Sequence, residues 1–386
     1  MVWVIIIFYS GINLSPFLFY KLNMWQANGL WVQITAAIIF SLFFTESPNG
    51  NVKIKNIPLA LLFFWSFLTT IIWVFVRGIP DHIFWFLNIL TMVIIYKGIS
   101  EYLIEKDIKN IFMILRYVTI GTLLICTLQN FGLAQFFIYF KYEWFRNINN
   151  PVIGFIGQPT HLAGLLAMTL PIFIYYGKRL DILSIILLLI ILIFLTGTTM
   201  GQSAVSGIAV LFGVSIYSLF YLNKRLFTIL TMMSLFSVIL IMYFKNTQII
   251  SDFLSSNGRY EIWQYYFNGS KKYFLSGLGL GTVALSYTTS KFPNAMHIHL
   301  EYLQILVELG LVGLILFLNV IRGYFLINLN TKEAITLKSM TLGFLISCLF
   351  NYPAHLWLPA SYAVLGYAGL YSLNGERLCQ LQPKNK

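Results

Sequence analysis

Apolar runs of about 17 to 25 residues recur along the whole chain, each long enough to cross a hydrocarbon layer of about 30 Å. They predict spans near 1–20, 28–45, 57–77, 82–98, 111–131, 159–177, 181–197, 201–221, 226–244, 299–321, 335–351 and 355–373. Backbone groups in lipid must find partners inside their own segment, so helices are the expected spanning form. Segments of about ten residues with alternating polarity, the mark of a membrane barrel, are not seen. The pattern predicts an all-α polytopic membrane protein of about twelve transmembrane helices in one bundle, with residues 1–386 as a single transmembrane domain.

Short connections make successive spans antiparallel neighbours. An even number of spans puts both termini on one side. Alternate short connections there carry Lys53/Lys55, Lys97/Lys106/Lys109, Lys178/Arg179, Lys224/Arg225, Lys332/Lys338 and Arg377/Lys384/Lys386. Cytoplasmic loops are rich in Lys and Arg, so both termini are expected in the cytoplasm. Two longer connections, 132–158 and 245–298, then face outward. The larger has apolar positions at Ile262, Trp263, Tyr266, Phe267, Tyr273 and Phe274, which predict an amphipathic helix on the membrane surface. The alternative is a plain plug over the bundle.

Composition strengthens the membrane reading. Hydrophobic residues make up 58% of the chain and charged ones 10%, with a mean hydropathy of +0.78; soluble domains carry about 25% charge. The net charge of +12 is accounted for by basic inner loops, and no soluble basic domain exists that could bind nucleic acid. Met1 to Phe8 is apolar from the start without a charged leader, so it is read as a retained first span. Cys126, Cys348 and Cys379 have neither metal nor disulfide spacing.

Candidate chemistry gathers in three places. In the large loop Arg259 and Trp263 stand one helical turn apart, followed by Lys271, Lys272 and Gly277-Leu-Gly279-Leu-Gly281. Arg binds a diphosphate through two parallel bonds and Lys as a point charge. Cations on the outward face run against the inward bias, although anionic lipid headgroups would also attract them. In the other loop Arg146 precedes Gln158, Thr160 and His161 at the start of a span, where free helix N–H groups favour anions; a backbone-bonded helix-start residue is the bland reading of His161.

The third place is Met296–Gly313. His297, Glu301, Gln304 and Glu308 form one polar stripe entering a span, where ionisable residues are costly and usually functional. His299 lies off that stripe, with Gly310 and Gly313 following 11 and 14 residues later. On a continuous helix the two glycines fall roughly below His299 and let another helix approach. An imidazole suits proton transfer near neutral pH, whereas a lone His in an apolar helix is more often structural. Outward acidic residues are dispersed, which argues for metal-independent chemistry.

These residues resemble the bacterial O-antigen ligase and O-antigen polymerase superfamily, membrane glycosyltransferases of the GT-C type. That family's signature is His, then Asn, Ser or Gln, nine residues, and Gly-x-x-Gly; His299-Leu300, nine residues and Gly310-Leu-Val-Gly313 match it except at Leu300. His297 fits a common His-x-His form. Arg259-Tyr-Glu-Ile-Trp263 is similar to the Arg-x-x-x-Trp that opens the family's large loop, and Gly157-Gln-Pro-Thr-His-Leu-Ala163 to its middle-span start. Arg146, ten residues and Gly157 look like an element of the polymerases. Many members have Ser-Arg where Ser203-Ala204 stands here; Arg146 or Arg77 would have to substitute.

The resemblance implies transfer of an undecaprenyl-diphosphate-linked glycan to a hydroxyl of a second glycan or of a lipid A core. The reaction would take place at the outer, periplasmic or extracellular face of the bacterial inner (cytoplasmic) membrane, without cofactor or metal. His299 would act as base or orient the acceptor. Arg259 with Arg146, Lys271 and Lys272 would bind the donor diphosphate, and His297, Glu301, Gln158, His161 and Trp263 would serve the acceptor or tune His299. Ligase and polymerase both fit. A transporter or flippase of polysaccharide or lipid-linked glycan is the alternative, and it would place ionisable residues along several spans near the midplane.

Overall fold

The computed structural model describes residues 2–11, 34–40, 56–78, 82–133, 159–197, 259–286, 298–349 and 357–381, with isolated positions at 152, 154, 210, 211, 213, 214, 217, 221 and 354. The regular elements are α1 (Val2–Gly11), α2 (Ile57–Arg77), α3 (His82–Tyr102), α4 (Glu105–Asn130), α5 (Pro159–Tyr176), α6 (Arg179–Gly197), α7 (Arg259–Ser270), α8 (Thr282–Ser286), α9 (Glu301–Phe325), α10 (Lys332–Ser347) and α11 (Trp357–Leu381). From residue 57 onward, every expected span within the described residues has become a helix. Several are longer than predicted, because polar turns such as Glu105–Asn110 extend the helix past its apolar stretch.

Local chemistry fixes the ends. The Asn56 side chain accepts the Leu59 N–H at 3.2 Å and Pro58 follows it, a favourable start for α2. Gly78, at φ 66°, closes the same helix by donating to Val74 O. Thr331 caps α10 through the Ala334 amide.

Among the described residues, three helices are long and apolar enough to cross a membrane: Ile57–Val76, Glu105–Asn130 and Glu301–Phe325. The expected spans near 28–45, 201–221 and 226–244 lie largely outside the described residues, as does most of the 132–158 loop.

The main core joins α1, α4, α5, α6, α10 and α11 through fully buried residues including Phe8, Phe112, Phe173 and Tyr362. Helix α10 packs on α5 and α11, α11 on α3, and α2 on both α3 and α9. Polar pins hold this arrangement. Arg116, one of the deep charges of the sequence, pairs with buried Asp181 and lies 5.0 Å from the Tyr176 ring centre. Lys109 bridges Glu105 and Glu333, and Glu376 accepts the Glu105 amide, tying α4, α10 and α11 at one end.

A cavity of about 290 Å³ remains between α2, α3, α9, α10 and α11. Its wall is mainly apolar. Glu301 and Glu308 line it from the first half of α9, and Tyr96, Tyr324 and Tyr367 line it from α3, α9 and α11.

Candidate active site

Helix α9 is not continuous. At Gly310 the backbone adopts φ 71° and ψ −175°, and the helix resumes beyond it. Such a break strands several amides and carbonyls, each costing several kcal/mol in lipid if left unpaired. The glycine-rich segment after α7 supplies the partners. Leu278 N donates to Val307 O and Gly279 N to Glu308 O, both at 2.9 Å; Leu311 N donates to Phe274 O at 2.8 Å. The Trp65 indole donates to Leu309 O at 2.8 Å.

This approach of two backbones is possible only without side chains. A Cβ on Gly277 would lie 2.3 Å from Glu308 O, and one on Gly310 would lie 2.3 Å from Leu275 O. Both residues also hold positive φ, which L side chains rarely adopt. The sequence expectation is therefore corrected: Gly310 makes room for a loop, not for a neighbouring helix. A Cβ on Gly313 would meet the Leu309 side chain of its own helix.

His299 is likewise not on the helix. It sits two residues before α9 in a bend at φ 57°, the one positive φ outside glycine among the described residues. A non-glycine residue in this conformation costs roughly 1–2 kcal/mol and must be held from outside. The holding groups are visible. The Ile298 amide donates to Gln304 Oε1 at 3.2 Å, and the Ile298 carbonyl accepts the Trp263 indole N–H at 2.8 Å. Downstream, the Glu301 amide donates to Cys348 O at 2.9 Å, and Glu301 Oε2 accepts the Ala354 amide at 3.0 Å.

Helix α7, expected in the large loop, is present. It docks through Tyr266, Ile262 and Trp263 against Val283, Ile298 and Val307. Arg259 is half-buried at the start of α7, one turn before the Trp263 that bonds to the bend carrying His299. Lys271 and Lys272 are exposed in the turn that ends α7. Twelve residues of helix, about 18 Å at 1.5 Å per residue, separate them from Arg259. The structure thus joins Trp263 to the bend that carries His299 and leads into Glu301, and sets the lysines a helix length from Arg259. Arg146, Gln158 and His297 lie outside the described residues, as do the side chains of His161 and Arg77.

Some positions escaped the sequence reading. His82 is fully buried, with Nδ1 2.6 Å from Leu280 O. The Trp73 indole donates to Gly277 O at 3.1 Å. Glu308, by contrast, belongs to the polar stripe read from the sequence, and it accepts from Gly281 N at 3.0 Å and from Gln304 Nε2 at 3.2 Å. Only Glu308 carried a signal, as a charge deep in an apolar helix. His82 and Trp73 stand at ordinary span ends, where nothing marks their role.

The arrangement offers an imidazole on a bend pinned by hydrogen bonds, the Arg259 helix docked against that bend through Trp263, and an apolar cavity lined by two carboxylates. No curated protein sequence matches the chain. Residues 164–318, which run from α5 through the glycine-rich segment into α9, match the family model described as O-antigen ligase, and this match supports a place for the chain in the O-antigen ligase and polymerase superfamily.

Proposed function

We propose that this protein transfers a glycan from undecaprenyl diphosphate to an acceptor hydroxyl, as an O-antigen ligase or as a polymerase of O-antigen or capsular polysaccharide. The observation that carries the reading is the Trp263–Ile298 bond, which couples the Arg259 helix to the His299 bend. In this mechanism His299 takes the proton of the acceptor hydroxyl, or orients that hydroxyl, as it attacks the anomeric carbon. Arg259, with Arg146, offsets the charge growing on the departing diphosphate. Oxygen–carbon bond formation and loss of undecaprenyl diphosphate complete the transfer, with no metal or cofactor.

Glu301, two residues after His299, lines the apolar cavity and is assigned to the acceptor side with His297, Gln158 and His161. The cavity suits the uncharged polyprenyl chain, since its charged lining groups are carboxylates that repel a diphosphate. Lys271 and Lys272, distant from Arg259 and close to exposed Leu275 and Phe274, suit anionic lipid headgroups better than the donor diphosphate. The site faces the periplasm or exterior, and both termini face the cytoplasm. Transport is disfavoured by Arg116, whose pairing with Asp181 leaves it a packing role.

The test uses purified full-length protein in lipid nanodiscs with an undecaprenyl-diphosphate-linked glycan and candidate acceptors. Turnover lost in His299→Ala, with the protein still folded, supports the reading. Unchanged turnover in that variant removes His299 from the mechanism. Lipid A-core and lipid-linked glycan acceptors, offered separately, distinguish ligase from polymerase.

A further inference from the structure

Two polar side chains of α9 remain without a role in that mechanism, and their bonds converge on Glu308. The Ile298 amide donates to Gln304 Oε1, Gln304 Nε2 donates to Glu308 Oε1, and the Gly281 amide donates to Glu308 Oε2. Both Gln304 and Glu308 are fully buried. One end of the chain is the amide of Ile298, the residue before His299; the other lies in the glycine segment that repairs the break at Gly310. Trp263 and His82 hold the neighbouring carbonyls, of Ile298 and Leu280. The clasp therefore spans the two parts of the site that come from different stretches of sequence.

We infer that Gln304 and Glu308 are positioning residues, which lock the His299 bend and the segment 274–281 into one register. The functional half of this inference rests on the transferase reading; the coupling itself does not. Donor and acceptor capacity decides the chemistry. Glu308→Gln replaces an acceptor oxygen with an NH2 group, so the Gln304 amide and the Gly281 amide compete for one oxygen. Gln304→Glu places two carboxylates against each other. The exchanged pair, Gln304→Glu with Glu308→Gln, allows all three bonds at the same net charge, with the middle one now donated from position 308 to position 304. It moves the carboxylate one turn, about 6 Å, toward the helix start, where the helix dipole favours it.

The experiment combines hydrogen–deuterium exchange with transfer kinetics on full-length protein in nanodiscs. Each single variant is expected to speed exchange about tenfold in both 276–284 and 298–304, the loss of roughly one buried bond. Each should lower kcat by roughly 10- to 100-fold with the donor KM within about twofold, since small misplacements of catalytic groups act on the chemical step. The exchanged pair is expected to restore both readouts. Loosening confined to one segment overturns the inference, as does an exchanged pair that folds but stays loose. So does recovery of exchange protection without recovery of kcat. Should a single variant fail to fold, the exchanged pair alone carries the test, and protection and kcat below wild type in it overturn the inference. A wild-type protein showing the coupled exchange but transferring no glycan rejects the transferase reading and leaves the clasp standing.

Discussion

Trp263 reaches from α7 to donate its indole N–H to the carbonyl of Ile298, 2.8 Å away and one residue before the left-handed His299. Two stretches of the chain separated by 35 residues thus share one bond at the candidate catalytic bend. Trp263→Phe keeps the packing of a ring but removes the donor. Transfer should fall roughly tenfold while stability falls by about 1 kcal/mol, read from steady-state kinetics and thermal unfolding of the same preparation.

The strain at His299 gives a second test. Glycine tolerates φ 57°, so His299→Gly should be about as stable as wild type or more so, whereas His299→Ala retains the strain. Both variants should lose transfer. Equal thermal midpoints for the two would argue that the bend relaxes in solution.

Glycines of α4 and α9 should respond in opposite ways. Gly310→Ala brings a Cβ to 2.3 Å from Leu275 O and should cost several kcal/mol or abolish folding. Gly121→Ala in α4 meets nothing within 4 Å and should be neutral or stabilising by up to about 1 kcal/mol. Thermal unfolding in detergent compares them directly.

Arg116 and Asp181 form a buried pair, so removing one partner strands a charge among apolar helices. Asp181→Asn should destabilise by about 3–5 kcal/mol, while Arg116→Leu with Asp181→Leu should recover most of that loss. Unfolding midpoints of wild type, Asp181→Asn and the double Leu variant check both expectations.

Arg259 and the cavity separate two aspects of donor binding. Arg259→Lys keeps the charge but loses the two-pronged fork, and kcat/KM should drop roughly tenfold or more. Ile89→Trp, filling the cavity from α3, should raise KM for the undecaprenyl donor while sparing a donor with a short prenyl chain. Kinetics with both donors measure the difference.

Much of the helix order was readable from hydropathy alone, since α2, α3, α5 and α6 begin within two residues of the expected spans. The family motifs fall on α7 and on the bend and break at the start of α9. What could not be read was the conformation of those motifs. Helical periodicity assumes that each carbonyl meets the amide four residues on, so it ran straight through His299 and Gly310. The partners that make both departures possible come from Phe274–Gly281 and from Trp65 and Trp263, far away in sequence. The glycines flagged as a helix-packing surface are instead, at Gly310, the contact point for a loop. The lysines were grouped with Arg259 by charge, and only the length of α7 separates them.

The break in α9 also bears on how the protein is made. Phe274 to Gly279 leave the ribosome before Gly310 does, so the groups that satisfy the interrupted helix already exist when it reaches the bilayer. Deleting that upstream segment would send bare peptide groups into oil, and quality control, rather than any enzymatic assay, would be the first to register the defect.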